Sequence, residues 1–263
     1  MVLSMTMLPP LPATLAAGDP ATVRWLAACA ALAYQSHATV LAATAAAGLA
    51  TTWIDQRLPS TQVWIGRGPL TVVAFRGTDD APDWVTDAWA AKKCPAWLPG
   101  VQVHRGFLHA LEAVDEQVDA VVGVDPVWVC GHSLGGALAT LYAARRVAMG
   151  LTVAGVVTIG QPRVASADFT RLYQSRLGSR HIRVQNCGDP VPRVPPSSMK
   201  WEHVGMRWML DQNGQRVNEA GWFTQFVDRW FGGDKTASAR QAATEMLGEH
   251  ACSEYQRRLA LTQ

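Results

Sequence analysis

Along this chain, short apolar runs alternate with longer stretches whose apolar residues recur every three or four positions, the pattern of parallel strands joined by crossover helices. Residues 62–65 and 70–75 read as two strands joined by a turn at 66–69. Leu108, Leu111, Val114, Val118 and Val121 fall at helical spacing and predict a helix over 107–121. Residues 127–130 form a short buried strand, followed by a helix over 134–149 that Gly150 can end in a left-handed conformation. Two further strands are expected at 153–159 and 181–185. The fold class expected is α/β, with a mostly parallel central sheet and helices on both faces. No repeat, linker or shift of composition divides the chain, so residues 1–263 are expected to form one domain.

The N-terminal third is less regular. Pro9, Pro10 and Pro12 would break an apolar helix, and residues 1–20 read as a loosely held arm. No Lys or Arg precedes the apolar stretch there, so it does not read as a signal peptide, and a cytoplasmic location is favoured over a secreted one. The Ala-rich stretch 21–53 contains Arg24, Gln35 and His37 and reads as one or two packed surface helices, with no transmembrane segment. Five cysteines lie far apart without a C-x-x-C pair, which suggests neither zinc nor a redox motif; an odd number fits a reducing compartment slightly better than a disulfide framework. A net charge of +2 gives no reason to expect nucleic acid as a partner.

The most informative segment is Gly131-His132-Ser133-Leu134-Gly135, a G-x-S-x-G between a strand and a helix. A serine on so sharp a turn has a strained backbone and presents its hydroxyl at the carboxyl edge of the sheet, while the helix start aims N–H groups and a positive dipole end at it. The flanking glycines leave room for helix and strand to pass closely. In folds built this way the partners follow in the order Ser, Asp or Glu, His, which removes His37, His104 and His109 from consideration. Of His181, His203 and His250, the last lies in a break between the helical patterns 237–247 and 252–261, where a loop can carry the imidazole over the sheet edge. Asp189, just past the 181–185 strand, leads as the acid, with Asp211 and Asp234 as more distant alternatives; an Asp-Pro pair can also be a plain turn. His132 fits a role in holding the turn better than one in proton transfer. The N–H of Leu134, the residue after the serine, is an expected oxyanion donor.

Several segments in fixed order resemble the class 3 lipase family, the fungal-type lipases. They are Val73-Ala74-Phe75-Arg76-Gly77-Thr78, Asp83-Trp84, Val103-His104-Arg105-Gly106-Phe107, the G-x-S-x-G segment, Gly160-Gln161-Pro162-Arg163-Val164, Asp189-Pro190-Val191-Pro192-Arg193-Val194-Pro195-Pro196, His203-Val204-Gly205, and His250 with Tyr255. The resemblance implies an α/β-hydrolase fold with Ser133, Asp189 and His250 as catalytic triad and Thr78 as a second oxyanion donor. It implies ester hydrolysis without metal or cofactor, acting on acylglycerol or fatty-acid esters; a phospholipase A1 or a feruloyl-type esterase would use the same triad, and a catalytically silent binding scaffold is the alternative of another class.

Residues 79–103 read as a lid. Trp84, Val85, Trp89, Trp97 and Leu98 stand among charged residues there, as on a mobile amphipathic cover over an acyl groove that makes transient contact with a lipid interface. The same tryptophans could instead fill core. Aromatic residues at helical spacing in 220–233 suit core packing, with a wall of the acyl pocket or an interfacial anchor as the other readings.

Overall fold

The structure, a computed structural model, describes residues 7–78, 91–217 and 248–262. Its centre is an eight-stranded sheet in the order β1-β2-β3-β6-β7-β8-β9-β10. The strands are β1 (Ala50–Arg57), β2 (Ser60–Arg67), β3 (Thr71–Phe75), β6 (Val127–His132), β7 (Val153–Ile159), β8 (His181–Asn186), β9 (Met206–Leu210) and β10 (Arg216–Val217). β4 (Lys92–Lys93) and β5 (Val103–His104) form a separate two-stranded ribbon. From β3 through β9 the main-sheet neighbours pair in parallel, and antiparallel strands extend both edges.

Strand alternation divides the core into two layers. Val63, Ile65, Val73, Phe75, Val127 and Val129 face one side, with the helices Arg105–Glu112, Leu134–Ala148 and Ala167–Leu177. Trp64, Val72, Ala74, Trp128 and Cys130 face the other, with the helices Pro20–Leu32 and Cys252–Leu261. These strands are apolar on both faces because helices cover both, as in a buried parallel sheet.

The structure departs from expectation in four places. The 107–121 helix is two, Arg105–Glu112 and Asp115–Val122, since the chain breaks at Val114, whose side chain nevertheless stays in the core. The stretch 21–53 contains two helices, Pro20–Leu32 and His37–Ala46, and the start of β1. Its first helix is no surface element: Val23, Leu26, Ala27 and Ala30 are fully buried, because small residues let it lie close over β6 and β7. From residue 7 on, the arm is also held more firmly than its prolines suggest. Leu8, Leu11 and Leu15 pack on the core, and Asp19 caps the first helix by accepting from the Thr22 N–H at 2.8 Å.

Candidate active site

Ser133 is the turn between β6 and the Leu134–Ala148 helix, with φ 58° and ψ −127°. A backbone in this region costs a non-glycine residue about 1–3 kcal/mol and persists only where its surroundings enforce it. They do so here by close packing. A Cβ on Gly131 would lie 2.8 Å from the Gly136 nitrogen, and one on Gly135 would lie 2.8 Å from the Phe75 carbonyl carbon, so helix, turn and the end of β3 meet backbone to backbone. Gly77 has the same reason to be glycine: its Cβ would meet the His132 carbonyl at 2.6 Å and Ser133 Cβ at 3.2 Å. The segment leading to Thr78 therefore runs directly beside the serine. Leu134 opens the helix, where first-turn N–H groups have no helical carbonyl to bond.

Asp189 lies beyond the carboxyl end of β8 and is fully buried. Its Oδ1 accepts from the Val191 N–H at 2.8 Å, so the turn role read from Asp-Pro is present. Its Oδ2 faces the imidazole of His250, with Nδ1 at 2.9 Å. On the other side of the ring, His250 Nε2 lies 2.9 Å from Ser133 Oγ. A carboxylate only accepts, so Nδ1 carries the proton and the Nε2 lone pair is left for the serine hydroxyl. Residues 133, 189 and 250 thus stand in one hydrogen-bonded series, each at most 5% exposed. The two alternative histidines are elsewhere. His181 bonds Thr158 Oγ1 and the Tyr173 hydroxyl, each at 2.9 Å, and His203 Nε2 donates to the Pro192 carbonyl at 2.7 Å. Asp211 is occupied with its own turn, accepting from Asn213 and Gln215 N–H. Asp234 lies outside the described residues.

Three neighbours support His250; of these the sequence marked Tyr255 as part of the family pattern and His132 as a residue that holds the turn, and left Glu249 unmarked. The Tyr255 hydroxyl donates to Asp189 Oδ2 at 2.6 Å and accepts from the Asn186 N–H at 3.0 Å; burial first and then Asp189 hold its pKa well above the usual phenol value, so it stays a donor. His132 Nε2 donates to the His250 carbonyl at 2.8 Å, leaving Nδ1 to accept from the Tyr34 hydroxyl at 2.8 Å. Burial and then the neighbouring His250 press its pKa well below the usual value, which keeps this tautomer neutral. Glu249 makes a buried ion pair with Arg258 at 2.6 Å, and its carbonyl accepts from Asn186 Nδ2 at 2.9 Å. The residue before the imidazole is therefore fixed through both its side chain and its backbone. Gly160, at φ 57°, passes beneath: a Cβ there would come within 3.0 Å of both Asp189 Oδ2 and His250 Nδ1.

The lid expectation divides. Trp84, Val85 and Trp89 lie outside the described residues, as does 220–233. Trp97 and Leu98 are half-buried and pack on the core, and Leu98 lines a small cavity with Ala144, Val147 and Phe169, toward the far end of the helix that Ser133 begins. Residues 92–104 are tied down by the β4–β5 ribbon and by the buried Val101 and Val103.

Comparison with known proteins adds a family likeness. Residues 72–199 match the family described as Lipase (class 3). The chain is 35% identical over 147 residues to secreted mono- and diacylglycerol lipase 1 of Fusarium solani, covering 53% of this chain and 44% of that protein. It is 31% identical over 172 residues to phospholipase A1-II 4 of Oryza sativa subsp. japonica, covering 53% and 43%. The crystal structure of the lipase from Rhizopus microsporus var. chinensis superposes with a TM-score of 0.63 at 26% identity, covering 77% of this chain and 79% of that one. The chain spans about half the length of the relatives matched by sequence. The cytoplasmic expectation is corrected by these relatives, since the Fusarium protein is a secreted one. That expectation rested on N-terminal composition, and a leader is a separate, removable segment whose features the folded body does not carry. Matched sequence and superposition together make this α/β-hydrolase-fold chain similar, over residues 72–199, to the class 3 lipase family.

Proposed function

We propose that this protein, as a single domain, hydrolyses carboxylic esters of lipids through an acyl-enzyme on Ser133. The observation that carries the reading is the unbroken series Ser133 Oγ, His250 Nε2, His250 Nδ1, Asp189 Oδ2, with 2.9 Å at each of the two steps between side chains. As Ser133 Oγ attacks the ester carbonyl, its proton passes to His250 Nε2; the imidazolium so formed is stabilised by Asp189, which keeps the ring in the productive tautomer. The same proton goes to the departing alcohol, and water, deprotonated by His250, then releases the acid. Backbone N–H groups of Thr78 and Leu134 are assigned to the oxyanion, each donor being worth about 3 kcal/mol in sites of this kind. What supports Thr78 is the forced proximity of Gly77 to Ser133.

Acylglycerols are the substrate class favoured by the relatives named as lipases, with phospholipids as the second reading because of the rice relative. A fluorophosphonate probe is expected to label wild type at one residue, with the adduct mapping to the peptide containing Ser133. A protein that is not labelled, or a Ser133→Ala variant labelled as strongly, sinks the proposal. Rates on a series of p-nitrophenyl esters of rising chain length, against dioleoylphosphatidylcholine, separate the two substrate readings.

A further inference from the structure

The short connection between the first two helices carries a side chain, Tyr34, that reaches into the candidate active site from outside the triad. Its backbone is held at both ends. Tyr34 N–H donates to the Ala31 carbonyl at 3.2 Å and Gln35 N–H to the Leu32 carbonyl at 2.9 Å, while Ser36 Oγ accepts from the Thr39 N–H and so caps the next helix. The preceding helix is fully buried at Leu26, Ala27 and Ala30, over the strand that leads to Ser133. The phenol is also held at its tip and on its face. Its hydroxyl packs against Gly77, where any Cβ would run into it, and the Arg76 guanidinium, which also donates to Gln62 Oε1, stands 5.4 Å from the ring centroid.

From this base the hydroxyl meets His132 Nδ1 at 2.8 Å, with the two rings edge to face and their centroids 5.6 Å apart. His132 touches His250 in two ways. Its Nε2 donates to the His250 carbonyl at 2.8 Å, and its ring stacks on the imidazole with centroids 4.7 Å apart and planes inclined by 30°. Tyr255, whose hydroxyl serves Asp189, sets its edge against the same ring at 6.0 Å. A carbonyl only accepts, so Nε2 holds the proton and Nδ1 needs a donor. Tyr34 is that donor. An apolar side chain in its place would leave a buried lone pair unmet and the His132 ring free to turn about the one bond it kept.

We infer that Tyr34 is a positioning residue for the hydrolysis proposed above: by holding His132 in one tautomer and one orientation, it sets the height and tilt of the His250 imidazole against Ser133. Its importance for turnover rests on the hydrolase reading, while the link from Tyr34 to His250 does not. Because it acts through His132 and not on the ester, its loss slows the chemical step and leaves substrate binding alone. A small misplacement of a catalytic base is enough for this, since proton transfer depends steeply on geometry.

Kinetics and nitrogen NMR test it together. On p-nitrophenyl butyrate, Tyr34→Phe is expected to lower kcat about tenfold with KM unchanged, and to cause no further loss when His132→Leu is already present. An equal loss in both backgrounds, or a loss carried by KM, overturns the inference, since a phenol that merely fills space would act without His132. In histidine-labelled protein, the His132 signals are those missing from His132→Leu. Tyr34→Phe should move the Nδ1 signal of His132 downfield and shift the His250 signals with it; His250 signals that stay in place overturn the inference whether or not the protein turns over. Wild type without hydrolysis would sink the hydrolase reading instead, and the spectra would still decide the link. Should circular-dichroism melting show that Tyr34→Phe fails to fold, His132→Leu alone reads the same link, and His250 signals at their wild-type positions count against it.

Discussion

Strand β8 has a buried histidine site at each end, and the two differ in what faces the ring. At its start, His181 sits between two hydroxyls, Thr158 and Tyr173, and burial first, then Arg183, presses its pKa down to about 3. Beyond its other end, Asp189 faces His250, whose far nitrogen meets a strained serine. Both rings are buried and doubly hydrogen-bonded. A ring between hydroxyls has no anion to stabilise its charged form and can only remain neutral, so it serves packing. A ring between carboxylate and serine can accept a proton and keep it for a moment, which is what acyl transfer needs.

The comparison breaks most severely at the serine. Ser133→Ala is expected to lower kcat on a p-nitrophenyl ester on the order of 10^6-fold, with the melting temperature nearly unchanged. A smaller loss accompanies Asp189→Asn, on the order of 10^4-fold, because the amide leaves His250 in the wrong tautomer. Steady-state kinetics check both, and a loss below tenfold for Asp189→Asn would make His181 and His250 alike. Tyr255→Phe removes one bond to the carboxylate and should lower kcat by about 10- to 100-fold, with KM unchanged.

The smallest effect on activity belongs to His181, where the effect is on stability. Folding depresses its pKa from 6.5 to about 3, so the unfolded chain takes up a proton first as pH falls. The stability from this group is complete above about 6.5 and is lost progressively toward about 3. In urea titrations across that window, wild type should lose stability more steeply than His181→Gln; parallel slopes would show that the ring is not held neutral.

How far each end could be read from sequence follows from how local its causes are. The elbow was legible because strand, glycines, serine and helix are contiguous, although only Gly131, against Gly136, answers to a contact within a few residues, whereas Gly135 answers to Phe75 on the neighbouring strand. Asp189 and His250 were legible by chain order, since the fold type fixes their sequence. Tyr34 was not, because it reaches His132 across 98 residues and nothing in its own neighbourhood marks it. The Glu249–Arg258 pair is close in sequence but becomes meaningful only once burial makes an unpaired charge costly. Trp97 and Leu98 left two readings open for a related reason: an amphipathic pattern states that a face is covered, without saying by what.

Pre-steady-state mixing of p-nitrophenyl butyrate with His250→Ala and His181→Gln, side by side, tests the central claim most directly. Acylation of Ser133 with His250 as the base predicts no burst of p-nitrophenol from the first variant and a full-amplitude burst from the second. A burst of wild-type rate and amplitude from His250→Ala would contradict the account.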